Sequence, residues 1–459
     1  GATDEQLDFS IIYTSAKQGI SRLNPEDEDS DITPVLDLII EKVPAHTGDS
    51  EGPFQMLVSS IDYDDYVGRI AIGTINRGNV QAKNSYTQID RQGDMHAFNI
   101  SKLYCYDGLA KVESPLAVTG DIIGIAGMKE VEIGETIAES SCPEPLPVIE
   151  IDEPTLGIHF STNSSPFAGR EGEFVTSRQL RDRLFRETRS NVSLRVEETD
   201  TQDTFKVSGR GELHLTILIE TMRREGYEFS ISRPEVLIKN IDGVPHEPEE
   251  FVIIDIEDSH MGAVMETMGK RKATLKNMIQ GESTARLEFV IPTRGLFGFR
   301  SEFLTLTKGT GIINRTFHNF IPHCGEIAQR PNGVLIAMEH GNTTGFSLFN
   351  LQDRGSMFVG AGNEVYTGMI VGTNKKDNDL VINLCKEKKL SNMRASGSDV
   401  NIILTPPVVM SLEQILGFLN EDELAEITPK SIRLRKKILN ETDRKRYGKT
   451  RNSIPVSVS

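Results

Sequence analysis

The sequence predicts a multidomain protein in which a β-barrel is followed by two α+β ferredoxin-like (βαββαβ) modules and a mixed, mainly β C-terminal domain. Three observations carry this prediction. Short alternating strands broken by frequent glycine fill residues 53–142, which is typical of a barrel. Strand patterns and helical stripes then alternate twice in the same order across residues 155–320. After residue 330, strand patterns dominate again.

The domain boundaries follow from these changes of pattern. A length of 459 residues corresponds to about three domains. Three prolines between residues 143 and 147 form a stiff linker. We expect a segment over residues 1–48, the barrel over 49–147, the modules over 148–240 and 241–328, and the C-terminal domain over 329–459.

Each module is expected to pack two helices on one sheet. In the first, a helix over residues 211–226 places Leu215, Leu218, Ile219 and Met222 at i, i+3, i+4 and i+7, which is a core-facing stripe. Its other elements are a helix over 177–188 and strands over 155–161, 193–197, 203–207 and 227–231. The second module is expected to have strands over 251–257, 285–291 and 311–320 and helices over 261–274 and 297–308.

Two further helices are expected outside the modules. Residues 32–43 carry an apolar stripe of helical period. Residues 412–419 follow Ser411, and Gln414 lies three positions after that serine, which is the pattern of a capping box.

The charge of the chain is unevenly distributed. A net charge of −17 argues against nucleic acid as a partner of the whole surface. However, residues 1–60 carry 12 acidic and 3 basic side chains, whereas residues 386–451 carry 14 basic and 9 acidic ones. This asymmetry fits a polyanionic partner at one end, or equally two solvated faces of opposite sign.

The composition excludes several other classes of protein. The four cysteines are scattered and form no C-x-x-C pair, which favours a reducing, cytoplasmic location and argues against a cysteine-rich zinc site. His318 and His323 have too few further ligands nearby in sequence, so we expect no metal. No apolar run approaches the roughly 18 residues of a membrane span, and no membrane partner is expected.

The stretch over residues 386–399 is the first candidate functional segment. It lies between apolar runs at 380–385 and 400–404 that are expected to be paired strands. It is too long for a tight hairpin, and such inserts are usually functional or unstructured. Cations for phosphates and short polar groups for sugars and bases suit an RNA-contacting loop, and a solvated lysine-rich hairpin is the alternative. The candidate contacts are Lys386, Lys388, Lys389, Asn392, Arg394 and Ser396.

A second basic segment lies over residues 431–438. It begins with period-two alternation, so Ile432 and Leu434 are expected to be buried and the basic side chains between them to share the other face. The candidate contacts of this segment are Arg433, Arg435, Lys436 and Lys437.

The predicted order of a barrel and two ferredoxin-like modules resembles the body of the translational GTPases related to elongation factor G. Three motifs are similar to that family: Tyr66-Val-Gly-Arg-Ile-Ala71, Ser208-Gly-Arg-Gly-Glu-Leu-His-Leu215 and Arg294-Gly-Leu-Phe-Gly-Phe-Arg-Ser-Glu-Phe303. Three C-terminal segments resemble the BipA or TypA branch alone: Arg330-Pro-Asn-Gly-Val-Leu-Ile336, Leu351-Gln-Asp-Arg-Gly355 and Lys389-Leu-Ser-Asn-Met-Arg-Ala-Ser-Gly397.

This resemblance implies a ribosome-binding protein that acts in translation or in ribosome assembly under stress. Its partners would be ribosomal RNA of both subunits, ribosomal proteins and the acceptor end of a transfer RNA, and the chain would act as a monomer. Arg330 becomes an RNA contact by the same resemblance. For Lys270, Arg271 and Lys272, RNA contact and stabilisation of a helix end are equal alternatives.

The full-length family hydrolyses GTP with Mg²⁺, which requires a phosphate loop. The pattern G-x-x-x-x-G-K-[ST] does not occur in this sequence. Ser15, Ala16 and Lys17 follow a short strand and resemble the last guanine-contacting element, so residues 1–48 are interpreted as a remnant of the GTPase domain with a linking helix. We expect no cofactor and no catalytic residue in this chain. Asn374-Lys-Lys-Asp377 is expected to be an ordinary turn, and a permuted GTP-hydrolysing site there is the alternative.

Overall fold

The computed structural model describes residues 3, 7–28, 31–46, 48–108, 110–149, 154–201, 203–281, 283–327, 330, 332–387 and 403–452. The chain divides into two compact units, residues 1–150 and 151–459, which we call the first and the second unit. No helix of the described residues is long and apolar enough to cross a membrane.

The first unit begins with a hairpin of β1 (Tyr13–Ser15) and β2 (Ile20–Arg22), followed by helix α1 (Thr33–Lys42). A proline stands in the first turn of α1, where its missing N–H is not needed. The predicted apolar stripe is present, but Leu36 and Ile40 are exposed among the described residues.

The remainder of the first unit is antiparallel sheet. Its strands are β3 (Gln55–Leu57), β4 (Ser60–Asp64), β5 (Gly68–Arg77), β6 (Val80–Gln81), β7 (Ser85–Ile89), β8 (Met95–Asn99), β9 (Lys102–Asp107), β10 (Ala110–Glu113), β11 (Leu116–Ala117), β12 (Ile122–Ala126) and β13 (Thr136–Glu139).

The pairing of these strands corrects the predicted barrel. Among the described residues it follows an open path, β10-β9-β12-β5-β3-β13-β7-β8, with β4 beside β5. The two ends do not pair with each other. Every side chain of β10 is exposed, and so are most of those of β8, as expected of strands at the two open edges of this sheet. The glycine-rich alternation therefore predicted the strands correctly but not their closure.

The second unit opens with a βαββαβ arrangement. Its elements are β14 (Leu156–Thr162), α2 (Ser177–Ser190), β15 (Arg195–Glu198), β16 (Thr204–Gly209), α3 (Glu212–Arg224) and β17 (Phe229–Ile231), with β18 (Glu235–Val236) beside β14. The antiparallel order is β15-β16-β14-β17. Thr176 and Gln179 form a capping box at the start of α2. The predicted stripe of α3 is confirmed, because all four of its apolar side chains are buried.

A second βαββαβ arrangement follows. Its elements are β19 (Lys239–Ile241), β20 (Val244–Glu257), α4 (Met261–Lys270), β21 (Thr274–Gln280), β22 (Thr284–Pro292), α5 (Phe299–Leu306) and β23 (Ile312–Pro322). The order is β23-β20-β22-β21. The helix predicted to run to residue 274 ends at Lys270, because Lys272 has a φ of 63° and turns the chain into β21.

The C-terminal region is built from short elements. They are β24 (Val334–Ala337), β25 (Gly341–Asn342), α6 (Gly345–Leu351), β26 (Gly355–Met357), β27 (Glu364–Val365), β28 (Met369–Asn374), β29 (Leu380–Ile382), α7 (Leu412–Phe418), β30 (Glu423–Ile427), β31 (Ile432–Lys436) and α8 (Glu441–Asn452). The capping box of Ser411 and Gln414 is present at the start of α7.

The first βαββαβ arrangement and the C-terminal region share one sheet. β17 pairs antiparallel with β30, placing Phe229 opposite Ile427, and the sheet continues through β31, β28, β24 and β29. Ile219 of α3 and Ile415 of α7 belong to the same buried cluster. An edge strand that would otherwise expose unpaired backbone is thus covered by the C-terminal region.

Candidate nucleic-acid interface

Helix α6 holds the chain at the start of the predicted RNA-contacting loop. Thr344 caps the helix, because its hydroxyl accepts a 3.2 Å hydrogen bond from the backbone N–H of Ser347. The hydroxyls of Thr344 and Ser347 then both donate to the carbonyl oxygen of Lys386, each at 2.7 Å. A carbonyl oxygen has two lone pairs, so one acceptor is saturated by two groups of the same helix end.

The returning side of the loop is held just beyond the other end of α6. Oε1 of Gln352 accepts hydrogen bonds from the backbone N–H of Thr405 at 3.1 Å and from its hydroxyl at 3.3 Å. The predicted strand over residues 400–404 is corrected in part: residues 403 and 404 are not in a strand, and Gln352 holds this segment instead. α6 and the turn after it therefore secure both sides of residues 388–402. The candidates Lys388, Lys389, Asn392, Arg394 and Ser396 lie outside the described residues and stay predictions.

Two cavities flank α6. One, of about 510 Å³, lies between α6 and β29 and is lined by Phe346, Asn350, Arg354 and Lys386, among others. The other, of about 400 Å³, lies toward residues 404–408, and Lys375 lines it. Each cavity thus combines apolar surface with at least one cation.

Three cations line these cavities, and we call Arg354, Lys375 and Lys386 the α6 basic patch. All three are exposed, and their side chains form no ion pair with the described residues. Arg354 and Lys375 are direct neighbours, because the backbone N–H of Lys375 donates to the carbonyl of Arg354 at 2.9 Å. Asp353 and Glu387 are also exposed next to members of the patch in sequence, so the surface is mixed in charge.

Sequence reasoning did not include Arg354 and Lys375 among the candidate contacts. Arg354 lies in the motif Leu351-Gln-Asp-Arg-Gly355, and Lys375 lies in the segment 374–377, for which the sequence predicts an ordinary turn or, alternatively, a nucleotide site. Their proximity depends on the pairing of β26 with β28, which brings Gly355 opposite Asn374. The motif alone could have indicated Arg354, whereas the pairing could not be predicted.

Arg330 and Lys436, both predicted RNA contacts, are occupied inside the protein. Arg330 makes hydrogen bonds of 2.9 and 3.1 Å to both carboxylate oxygens of Glu423 and lies 4.2 Å from the centre of the Phe418 ring. The ammonium of Lys436 lies 3.0 Å from Glu423, and its side chain is 2 % exposed. Burial alone would lower the pKa of Lys436, but Glu423 and the nearby Asp379 and Asp422 outweigh that effect and raise it.

Arg433 and Arg435 are neutralised in the same way. Arg433 pairs with Glu171, and both arginines approach Glu426, at 3.7 and 3.5 Å. Burial raises the pKa of Glu426, and the two arginines and the Tyr366 hydroxyl oppose that shift. The predicted alternation of this strand is correct, but its second face is covered by the second unit itself.

We therefore correct the candidate list by removing these four cations from the proposed RNA contacts. Lys437, the next residue in the chain, is exposed, and its backbone N–H donates to the carbonyl of Asp422. It remains a candidate.

The three basic residues at 270–272 differ in how fully their side chains are engaged by the rest of the protein. Lys270 is exposed and pairs with Glu266 at 2.6 Å within α4. Arg271 donates to the carbonyl of Gly295 at 2.7 Å and pairs with Glu302. Lys272 is exposed, and its ammonium donates to the carbonyl of Cys324. Local packing accounts for Arg271, whereas Lys270 and Lys272 remain accessible.

The two nucleotide-related candidates are both turns. Ser15 ends β1, Ala16 and Lys17 are exposed in the hairpin turn, and the carbonyl of Ser15 accepts from the N–H of Gly19 at 2.9 Å. In the proposed permuted site, the side-chain amide of Asn374 donates to the carbonyl of Asn378 at 2.6 Å. The amide that would recognise guanine is thus used to close a turn.

Comparisons with known proteins agree with this arrangement. Residues 332–441 match the model of the TypA/BipA C-terminal domain, and residues 244–331 match that of the elongation factor G C-terminus. Among curated relatives, the large ribosomal subunit assembly factor BipA of Salmonella typhimurium (strain LT2) is 51% identical over 97% of this chain and 74% of its own length. The protein of the same name from Bacillus subtilis (strain 168) is 46% identical over 99% of this chain and 75% of its own length.

The same name describes a relative in Haemophilus influenzae that is 48% identical over 99% of this chain and 74% of its own length. These identities extend over both units and over the C-terminal region that carries α6. The chain therefore belongs to the BipA family.

Proposed function

We propose that this chain docks on the large ribosomal subunit, during its assembly or during translation, through RNA contacts made by the α6 basic patch and by residues 388–402. The observation that supports it most is the attachment of both sides of that segment to α6, beside exposed cations and two cavities. The relatives named as large ribosomal subunit assembly factors support the same assignment. Ribosomal RNA and the acceptor end of a transfer RNA are the proposed ligands, and a role under stress is part of the proposal.

The chemistry around α6 suits single-stranded RNA. Such RNA is bound by cations that follow the phosphates and by aromatic rings on which bases stack. In the cavity beside β29, the ring of Phe346 and the amide of Asn350 lie among the lining residues together with Arg354 and Lys386. This set provides a stacking surface, a hydrogen-bonding group and two phosphate contacts.

The test is co-sedimentation with purified large subunits across a series of salt concentrations. Arg354→Ala and Lys386→Ala each remove an exposed cation, so each should weaken binding and reduce the slope of log K against log salt by about 0.7 to 0.9. Lys129→Ala removes an exposed lysine of the first unit and is the matched control. Arg394→Lys tests the predicted loop, because a lysine cannot reproduce the planar fork of an arginine. Affinities and slopes that stay at the wild-type value in both patch variants would refute the proposed interface.

A further inference from the structure

A cavity of about 160 Å³ lies where the second βαββαβ arrangement meets the C-terminal region. Four arginines line it, together with apolar side chains and two glycines, and none of the described residues that line it is acidic. The arginines are Arg233, Arg271, Arg294 and Arg330, and we call this cavity the arginine pocket. It is separate from the α6 basic patch and shares none of its residues.

The wall of the arginine pocket is fixed by a close backbone contact. Gly298 has a φ of 69°, which favours glycine, and a Cβ at Gly417 would lie only 2.5 Å from the Cα of Gly298. The segment before α5 and the end of α7 can approach this closely because neither residue has a side chain. The pocket is therefore a built-in feature of the packing between these two segments.

Carboxylates hold the guanidinium groups without entering the pocket. Glu423 holds Arg330 at 2.9 Å, and Glu302 holds Arg271 at 2.7 Å. The carboxylate of Glu247, which is fully buried, pairs with Arg294. These three arginine side chains are 9, 20 and 15 % exposed, in the order given. The positive groups are thus oriented in advance, which reduces the cost of ordering them around a ligand.

Hydrogen-bonding capacity remains on these arginines. A guanidinium has five N–H donors. Among the described residues, no acceptor bonds to Nη1 of Arg294 or to Nε of Arg271, although the other nitrogens of both groups are engaged. An oxyanion with several oxygens could accept from both arginines at once, and phosphate matches the planar fork of arginine.

The size of the pocket limits the ligand. Sites for drug-sized molecules measure roughly 300–1,000 Å³. At about 160 Å³ the arginine pocket has room for a phosphate or pyrophosphate group but not for a complete nucleotide. We propose that the arginine pocket binds a phosphate or pyrophosphate group and that this anion links the second βαββαβ arrangement to the C-terminal region.

Ile327, which lines the pocket and is half-buried, offers a matched pair of variants. Ile327→Glu would supply an internal carboxylate to the pocket that carries the remaining donors of Arg271 and Arg294, whereas Ile327→Gln has nearly the same shape without the charge. Titration calorimetry of the full chain with pyrophosphate, at constant ionic strength set by chloride, should show saturable binding to the wild type. The affinity should remain within about threefold in Ile327→Gln and fall at least about tenfold in Ile327→Glu, since a charge-assisted hydrogen bond contributes about 1.5–3 kcal/mol.

A second pair of variants tests the arginines directly. Arg271→Gln should weaken pyrophosphate binding by about tenfold or more, whereas Arg286→Gln, which removes an exposed arginine of β22, should leave it unchanged. RNA oligonucleotides with a 5′-phosphate or a 5′-hydroxyl separate the two sources of the group. Tighter binding of the 5′-phosphate RNA than of the 5′-hydroxyl RNA, with the difference lost in Ile327→Glu, assigns the site to an RNA end, and equal binding of the two RNAs assigns it to a free anion. Absence of saturable pyrophosphate binding in the wild type, or equal affinity in Ile327→Glu, would overturn the proposal.

Discussion

The hydroxyl of Ser347 donates a 2.7 Å hydrogen bond to the carbonyl oxygen of Lys386, across 39 positions of sequence. Ser347 is 4% exposed, so this bond is shielded from water. It fixes the backbone at the point where the predicted RNA-contacting loop begins, while the side chain of Lys386 stays exposed. The same residue is thus anchored by its carbonyl and available for binding through its ammonium.

We expect Ser347→Ala to weaken ribosome binding without removing a charge. Loss of a buried hydrogen bond should lower the free energy of unfolding by about 1 kcal/mol. Co-sedimentation with large subunits should show a lower affinity and an unchanged salt slope, because the number of neutralised phosphates stays the same. Ser283→Ala, at an exposed serine before β22, is the control. An altered slope in Ser347→Ala would contradict the positional role of this bond.

Lys436 and Lys437 are adjacent in sequence and should respond in opposite ways. Lys436→Ala removes one of the two cations that pair with Glu423, which is fully buried, so urea denaturation should show a loss of about 3 kcal/mol. Lys437→Ala, at an exposed position, should change the free energy of unfolding by less than about 0.5 kcal/mol. For ribosome binding we expect the opposite order: Lys437→Ala should weaken binding more than Lys436→Ala, since only Lys437 can reach a phosphate. Similar stability losses in both variants would show that burial does not separate their roles.

We expect no GTP binding by this chain that exceeds the binding of pyrophosphate to the arginine pocket. The sequence lacks the phosphate loop, and without its N–H cradle and lysine no nucleotide site of the GTPase kind holds the phosphates. In addition, the side chain of Asn374 is engaged within its own turn. Titration calorimetry with GTP and Mg²⁺ checks this expectation. A saturable signal that Asn374→Ala removes would instead support the permuted nucleotide site.

Local patterns in the sequence predicted which residues form a helix or strand better than they predicted what covers that element in the fold. The alternation at residues 431–438 placed Leu434 inside, as observed. It could not show that Arg435 is also buried, because the covering groups, Glu426 and Ser164, come from other parts of the chain. A strand between two layers has no solvent face, and period two alone does not distinguish that case from a surface strand.

Three features of the fold were not predicted. No element was predicted for β21 beyond its first residue, at which the predicted helix ended, because the side chains of β21 are all exposed and carry no burial alternation. The open sheet of the first unit was predicted as a barrel because closure depends on the pairing of distant edge strands, which the alternation within a strand does not encode. The α6 basic patch was missed for the same reason, since strand pairing brings Arg354 and Lys375 together.

One arginine lies between two carboxylates where the second βαββαβ arrangement meets α3. Arg315 of β23 lies 3.3 Å from Glu212, at the start of α3, and 3.8 Å from Glu250 of β20. Burial raises the pKa of both carboxyls, and Arg315 opposes that shift. Glu413 adds to the raised pKa of Glu212.

The direction of these shifts predicts how stability depends on pH. When the pKa of a carboxyl is higher in the folded than in the unfolded protein, the folded state binds more protons between the two values, so stability falls as pH rises through that window. The unfolded value is about 4.3. Glu250→Gln removes one such group. The free energy of unfolding of this variant, minus that of the wild type, should therefore increase as pH rises from about 4 to 8. Urea denaturation across that range measures the difference. A difference between Glu250→Gln and wild type that stayed constant or decreased with pH would mean that Glu250 is charged in the folded protein at no cost, with Arg315 compensating both carboxylates.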